Sequence, residues 1–410
     1  MPLSSEEQAL LEEAGRALAR GTDRYGATQV DSKASLVQVR RIDSATARVL
    51  VLDAVGLVAT PTVQLNVRPK IPVPHLLEIL QAADVVPRFA TGEGLMKESQ
   101  SLVILVAHWF VTALEKVLEE GLARDYRSHR DELTAVRGRV LPLPTARLFY
   151  RGRVAIVADY EEFDFDTPLN RMMLNVARIL AGATPLPGSI RRRALRAAKR
   201  MDGVGWLRSS DAAVEIDRRT HYYTDALKLA RQIVAATGRS LDAGSRRSWT
   251  FLFRTPIPVE VGIRAIITDA LGDLVSVRKG RLPLTGANLT INPDLVLEDT
   301  EVRAIGDVKY KLLGAEWERP DLYEAAAFAA GYRVPQAVVA LFAEPGTHPL
   351  PAVQIGDHLV RQVYWPADSS LSAEAARQQF AKQLRDWYLH QAAPAAVRQI
   401  VCLRQSSVGP

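Results

Sequence analysis

Asp294, Asp307 and Lys309 are the residues of this 410-residue chain whose types and spacing best support chemistry. The segment 292–310 reads as two apolar strands, Asp294 to Leu297 and Val302 to Tyr310, on either side of the turn-like Asp299-Thr300-Glu301. In a hairpin folded about Thr300, residues whose numbers sum to about 600 lie opposite each other, so Asp294 stands beside residues 305–307. Two carboxylates that meet at one end of a hairpin repel unless a cation lies between them, and hard oxygen donors with room for water suit Mg²⁺ or Mn²⁺. The backbone carbonyl of Val308 is a further candidate ligand. Lys309 is two residues from Asp307 and so shares its face of the strand. An ammonium there can orient an attacking water, favour its ionisation and offset charge on a phosphate. These parts suit phosphodiester hydrolysis.

The elements that must position these residues follow from periodicity. Downstream of residue 251 the pattern alternates as in an α/β domain. A helix over 259–271 precedes the two strands, and a helix over 321–330, strands over 337–342 and 359–364 and a helix over 372–389 follow them. Upstream, Ser4 and Glu7 have capping-box spacing ahead of a helical repeat, Leu10, Leu11, Ala14 and Leu18. A small β-module spans about 35–72, a helix restarts at Leu76, and residues 96–125 read as one long apolar helix. Thr167 is placed to cap a helix whose first residue is Pro168.

Composition removes several classes. At 48% hydrophobic and 24% charged residues the chain is neither disordered nor a membrane bundle. One cysteine, Cys402, closes no intramolecular disulfide and builds no zinc cluster, and a reducing cytoplasm is the expected compartment. The seven histidines show no metal-binding spacing and read as packing or surface residues. Gly92 to Ser99 lacks the Gly before and the Ser or Thr after its lysine that a phosphate-binding loop requires, so no NTPase signature is present. The run Leu102 to Val111 meets charged residues too early for a bilayer span. Between 191 and 254 there are 15 Lys or Arg against 6 Asp or Glu, which is either a solvated helical face or a phosphate-tracking one; Arg191, Arg192, Arg193 and Arg196 are its candidate DNA contacts.

Pro293-Asp294 followed by Asp307-Val308-Lys309 resembles the PD-(D/E)xK nuclease motif. Further blocks narrow the resemblance. They are Arg68-Pro69-Lys70-Ile71, Arg137-Gly138-Arg139-Val140, Tyr160-Glu161-Glu162-Phe163, Asp166-Thr167-Pro168-Leu169-Asn170-Arg171, Lys309-Tyr310-Lys311 and Asp321-Leu322-Tyr323. Together they resemble the McrC family, the nuclease subunit of McrBC-type, modification-dependent restriction systems. Two departures bear on the site. Related nucleases often carry a Gln on the helix after the D-x-K strand, where this chain has Glu324, and an acidic pair on the helix before the hairpin, where it has Glu260 alone. Glu260 is therefore a candidate extra metal-site acid, with an exposed first-turn glutamate as the alternative.

The expected architecture is an α+β N-terminal region with a small β-module and helices, followed by a C-terminal α/β PD-(D/E)xK nuclease-like domain. Residues 1–95 form the partner-binding module, 96–250 a mainly helical connection with the basic segment, and 251–410 the nuclease domain. The resemblance implies a McrB-like hexameric AAA+ GTPase partner that uses the GTP, a modified double-stranded DNA substrate, and a second copy of the nuclease domain for double-strand cleavage. A non-catalytic adaptor of the motor and a stand-alone repair nuclease are the alternative readings.

Overall fold

The computed structural model describes residues 4–19, 36–43, 46–60, 63–87, 101–237 and 249–392. Cys402, the segment 92–99 and the basic residues within 238–248 lie outside the described residues. The chain forms two compact units, the first from residues 1–103 with 235–410 and the second from 104–234.

The first unit opens with α1 (Ser5–Ala19). Its capping box closes as the spacing predicts: the Glu7 N–H donates to Ser4 Oγ at 3.2 Å and the Ser4 N–H to Glu7 Oε2 at 2.8 Å. Then come β1 (Val37–Arg41), β2 (Ala47–Val51), β3 (Ala54–Ala59), β4 (Gln64–Val67) and α2 (Val73–Ala82). The second unit contains most of α3 (Leu102–Glu120), followed by β5 (Asp125–Leu133), β6 (Arg139–Val140), α4 (Pro142–Tyr150), β7 (Ile156–Asp164), α5 (Pro168–Gly182), α6 (Gly188–Lys199) and most of α7 (Thr224–Thr237). The chain then returns to the first unit with β8 (Trp249–Arg254), α8 (Pro256–Leu271), β9 (Ser276–Arg278), β10 (Leu282–Pro283), β11 (Thr290–Ile291), β12 (Leu295–Glu298) and β13 (Val302–Leu312). It ends with α9 (Arg319–Tyr332), β14 (Gln336–Ala343), β15 (Val353–Ile355), β16 (His358–Pro366) and α10 (Ala373–Trp387).

The compact units do not follow the boundaries expected at 95 and 250. Strand β3, buried at every position, pairs with β4 on one side and with β8 on the other, in the register Ala54↔Arg254 to Ala59↔Trp249. Sequence distance hides such a pairing, because neither strand carries a local sign of its partner. Gly56, at φ +143°, makes it possible: a Cβ there would fall 2.0 Å from the Phe251 carbonyl oxygen. Helices α2 and α8 meet just as closely at Gly262, where a Cβ would lie 2.1 Å from the Ile79 carbonyl oxygen. His75 adds a polar tie and has no exposed surface. Its Nδ1 accepts from the Trp365 indole at 3.1 Å and its Nε2 stands 3.0 Å from the Leu371 carbonyl, so it is a fully satisfied packing residue.

The centre of the first unit is a six-stranded mixed sheet in the order β15-β16-β14-β13-β12-β9, with β13–β14 and β14–β16 parallel and the other pairs antiparallel. The parallel neighbours β13 and β14 are joined through α9, whose Ala325, Phe328 and Ala329 pack on Ile305, Val339, Leu341 and Val360. Apolar runs such as Val338 to Phe342 reflect strands buried on both faces.

The second unit is built on the long antiparallel pair β5–β7, with β6 added to β7. Helix α5 starts as predicted, with Thr167 Oγ1 accepting from the Asn170 N–H at 3.3 Å and Pro168 in its first turn. Among the described residues, no helix is long and apolar enough to cross a membrane.

Candidate active site

The hairpin forms close to the expected register. Leu295 faces Gly306 and Leu297 faces Ala304, with an irregularity at Glu298. Asp294 therefore emerges one step beyond the last paired residue of β12, alongside Asp307 and Val308 of β13. The Val308 N–H donates to Asp294 Oδ2 at 3.1 Å, a bond buried within the protein. The two carboxylates are only 6% and 5% exposed, and burial of that degree is costly for charged groups unless something compensates it.

Part of the compensation is internal. Lys309 Nζ lies 2.6 Å from Asp307 Oδ2 and 2.7 Å from Glu324 Oε2, so Glu324 does face the site from α9. The close Asp307 contact is an ion pair, and among the described residues Asp307 Oδ2 accepts no well-aligned hydrogen bond. Burial drives the Asp307 carboxyl up to about 7, with Lys309 opposing the shift and Asp294 adding to it. For Lys309, burial works against the charged form, but Asp307 and Glu324 outweigh it and hold the ammonium above the ordinary lysine value.

Glu260 belongs to the same site. It is not an exposed first-turn glutamate: its side chain is 22% exposed, and burial, then the nearby Asp294, raise its carboxyl despite Lys279. Lys279, absent from the sequence reading, lies between them, with Nζ 3.5 Å from Asp294 Oδ1 and 3.6 Å from Glu260 Oε2. The only signal for it in the sequence is the basic Arg278-Lys279-Gly280-Arg281 ahead of the hairpin. The Gly280 N–H donates to the Pro293 carbonyl at 2.8 Å and so fixes that segment against the start of β12.

Among the described residues, no three His, Cys, Asp or Glu side chains are arranged to hold a metal ion by themselves. A divalent cation here would draw on Asp294, Asp307 and backbone oxygen. That donor set fits a hard cation, and Asp307 Oδ2, paired with Lys309 but without a well-aligned hydrogen bond among the described residues, is the atom such an ion would satisfy.

The raised carboxyl of Asp307 has a pH consequence. An acid whose folded pKa exceeds its unfolded value holds its proton more tightly when folded. Its stabilising contribution is thus complete below the unfolded pKa, near 3.8, and is lost as pH rises through about 7. Metal-free protein is expected to lose on the order of 2–4 kcal/mol between about pH 4 and pH 8 from this group, and Asp307→Asn to lack that loss. Chemical denaturation across this range checks it; an equal loss in Asp307→Asn would assign the effect elsewhere.

Other sequence blocks prove to be supports. The Lys70 N–H donates to the Tyr310 hydroxyl at 3.2 Å and its ammonium to the Tyr310 carbonyl at 2.9 Å, so Arg68-Pro69-Lys70-Ile71 docks on β13 immediately after Lys309. Burial pushes the Tyr310 phenol up to about 12. Lys311 pairs with Asp321 at 2.8 Å and Glu318 at 2.7 Å, anchoring the first turn of α9.

In the second unit, Arg171 grips Asp211 through two 2.8 Å bonds, while the Asn170 amide donates to the carbonyls of Ala123 and Phe165 and its oxygen accepts from Tyr223. The four candidate arginines of α6 do not share one role. Arg193 pairs with Glu115 at 2.6 Å and bonds Thr112, and Arg191 bonds the Ala181 carbonyl, whereas Arg192 and Arg196 are exposed.

A family model described as McrBC 5-methylcytosine restriction system component matches residues 49–343. No curated protein matches the sequence. Similar solved structures come from Thermococcus gammatolerans. One chain, from a refined half-complex of a tetradecameric assembly of McrB AAA+ hexamers with bound McrC, shares 16% identity at a TM-score of 0.61. That match covers 92% of this chain and 95% of the other. Another, from the cryo-EM structure of the McrBC complex, shares 15% identity at a TM-score of 0.42, over 65% of this chain and 84% of the other. The first of these shows a common fold along nearly the whole length. The family match takes in more than half the sequence, including the hairpin that carries Asp294, Asp307 and Lys309, and the chain belongs to the McrBC 5-methylcytosine restriction system component family.

Proposed function

We propose that the chain is the DNA-cutting subunit of a McrBC-type restriction system, with a PD-(D/E)xK nuclease site that hydrolyses phosphodiester bonds in modified double-stranded DNA. The observation that carries this reading is the convergence of Asp294, Asp307 and Lys309 at one end of a buried hairpin, within a chain of this family. Asp294, Asp307 and the Val308 carbonyl would hold Mg²⁺ or Mn²⁺, which supplies Lewis acidity toward the phosphate and lowers the pKa of water.

The residues of the chain divide the remaining work. Lys309, kept protonated by Asp307 and Glu324, is no base; it places a positive charge and hydrogen-bond donors beside the carboxylates. Glu324, at 45% side-chain exposure, holds that ammonium from the solvent side, the task open to a carboxylate where related enzymes use an amide. Glu260 adds negative charge next to Asp294. On α6, Arg192 and Arg196 are the arginines free to meet phosphates.

One such site cuts one strand, so a double-strand break takes two copies. The partner in this reading is a McrB-like AAA+ hexamer that uses the GTP, in the cytoplasm. The partner contact assigned to residues 1–95 involves a segment that shares its sheet with β8, so it is tested in the intact chain. With the chain, its AAA+ partner, GTP and Mg²⁺ all present, methylated duplex is expected to suffer double-strand breaks, and omission of any one component is expected to abolish them. An inert complete mixture in which the chain still raises partner GTPase would favour the adaptor reading; site-specific cutting by the chain alone would favour an autonomous nuclease.

A further inference from the structure

No sequence motif marks Lys279 as a residue of the site, and its position is unusual. It follows β9 directly, and pairing of β9 with β12, together with the Gly280 to Pro293 hydrogen bond, brings it alongside Asp294. Its ammonium stands 3.5 Å from Asp294 Oδ1 and 3.6 Å from Glu260 Oε2. Both distances exceed those of a good charge-assisted hydrogen bond, about 2.7–2.9 Å. The ammonium is thus held between two carboxylates by charge, without tight directional bonds.

The surroundings make that contact displaceable. The Lys279 side chain is 47% exposed and the two carboxylates are 22% and 8% exposed, so a partly solvated cation covers two largely desolvated anions. The other oxygen of Asp294 is already occupied by the Val308 N–H, and Arg264 bonds the Asp294 backbone carbonyl at 3.2 Å, which leaves Asp294 Oδ1 as the oxygen facing Lys279.

We propose that Lys279 is a resident counter-cation, which holds Glu260 and Asp294 together in the metal-free chain and must withdraw before a divalent cation takes Asp294. The inference rests on the reading of Asp294 and Asp307 as metal ligands. Lys279 would then set the metal concentration at which the site fills, because each binding event exchanges an internal ammonium for an external ion. Removal of the ammonium leaves two carboxylates that attract a divalent cation with one competing charge fewer.

The test is calorimetric titration of the intact chain with MnCl₂, without DNA or partner. Lys279→Met and Lys279→Gln are expected to bind Mn²⁺ about tenfold more tightly than wild type, and Lys279→Arg, which keeps the charge, about as wild type. Metal-free Lys279→Met is expected to melt lower than wild type and to gain more from Mn²⁺. Asp294→Asn is expected to lose Mn²⁺ binding. Unchanged or weaker affinity in both neutral variants, with binding still lost in Asp294→Asn, would overturn the role of Lys279 and leave the metal site standing. Mn²⁺ binding that survives Asp294→Asn, or is absent from wild type and Lys279→Met alike, would overturn the metal site and this inference with it.

Discussion

Asp307→Ala is expected to reduce Mg²⁺-dependent cleavage by the assembled system at least about 10²–10³-fold, with no loss of folding stability. The two halves of this expectation have the same origin. The Asp307 carboxylate is buried to 5% exposure, has the Lys309 ion pair but no well-aligned hydrogen bond on Oδ2 among the described residues, and is pushed toward its neutral form by burial. A group so poorly served by its surroundings contributes little to the fold, and its ionised form is tolerated for what it can bind. Asp307→Asn is the closer isostere and is expected to be equally inactive, with a thermal midpoint at neutral pH at or above that of wild type. Wild-type cleavage by either variant in the presence of partner, GTP and Mg²⁺ would remove Asp307 from the site.

The largest expected effect on stability lies in the second unit, at Arg171 and Asp211. Their side chains are 5% and 2% exposed, and two parallel 2.8 Å bonds join them. Arg171 also reaches Asp166 Oδ1 at 3.1 Å, and Asp211 accepts from the Arg208 N–H at 2.8 Å. The bonds that Arg171 donates to Asp211, with Asp166 adding, raise its guanidinium above the ordinary pKa against the cost of burial. Asp211→Ala strands that guanidinium without its main partner and is expected to cost about 3–5 kcal/mol, read by chemical denaturation of the intact chain. Arg171→Met combined with Asp211→Leu is expected to recover much of the loss, because neither buried charge then remains unpaired. A cost below about 1 kcal/mol for Asp211→Ala would show that the pair does not hold the unit together.

What could be read from the sequence was local in origin. The capping box at Ser4 and Glu7, the Thr167 cap with Pro168 behind it, and the hairpin around Thr300 depend on residues a few positions apart, and each formed as its spacing implied. The convergence of Asp294 and Asp307 followed from strand register alone. Long-range pairing could not be read in the same way. Nothing in Trp249 to Arg254 names Ala54 to Ala59 as its partner, and the expected boundary at 250 therefore separated strands that share a sheet. Lys279 was missed for a related reason: its chemistry comes from β9–β12 pairing, while its own neighbours look like an ordinary basic turn. Arg193 shows what composition leaves out. Composition grouped it with Arg192 and Arg196, yet its guanidinium pairs with Glu115 of α3.

The β3–β8 pairing also determines when this protein can finish folding during its synthesis. Strand β3 is buried at all six positions, but its second neighbour is encoded about 200 residues downstream, at Trp249 to Arg254. At translation rates of about 5–20 residues per second, the nascent chain carries that apolar edge uncovered for ~10–40 s. Residues 104–234, whose strands β5 and β7 pair with each other, are complete about 20 residues, or ~1–4 s, before the end of β8. The unit translated in the middle can therefore fold first, and the β4-β3-β8 sheet closes only when residue 254 has left the ribosome, so that premature termination before this point yields a chain with an aggregation-prone edge and without the Asp294–Lys309 hairpin.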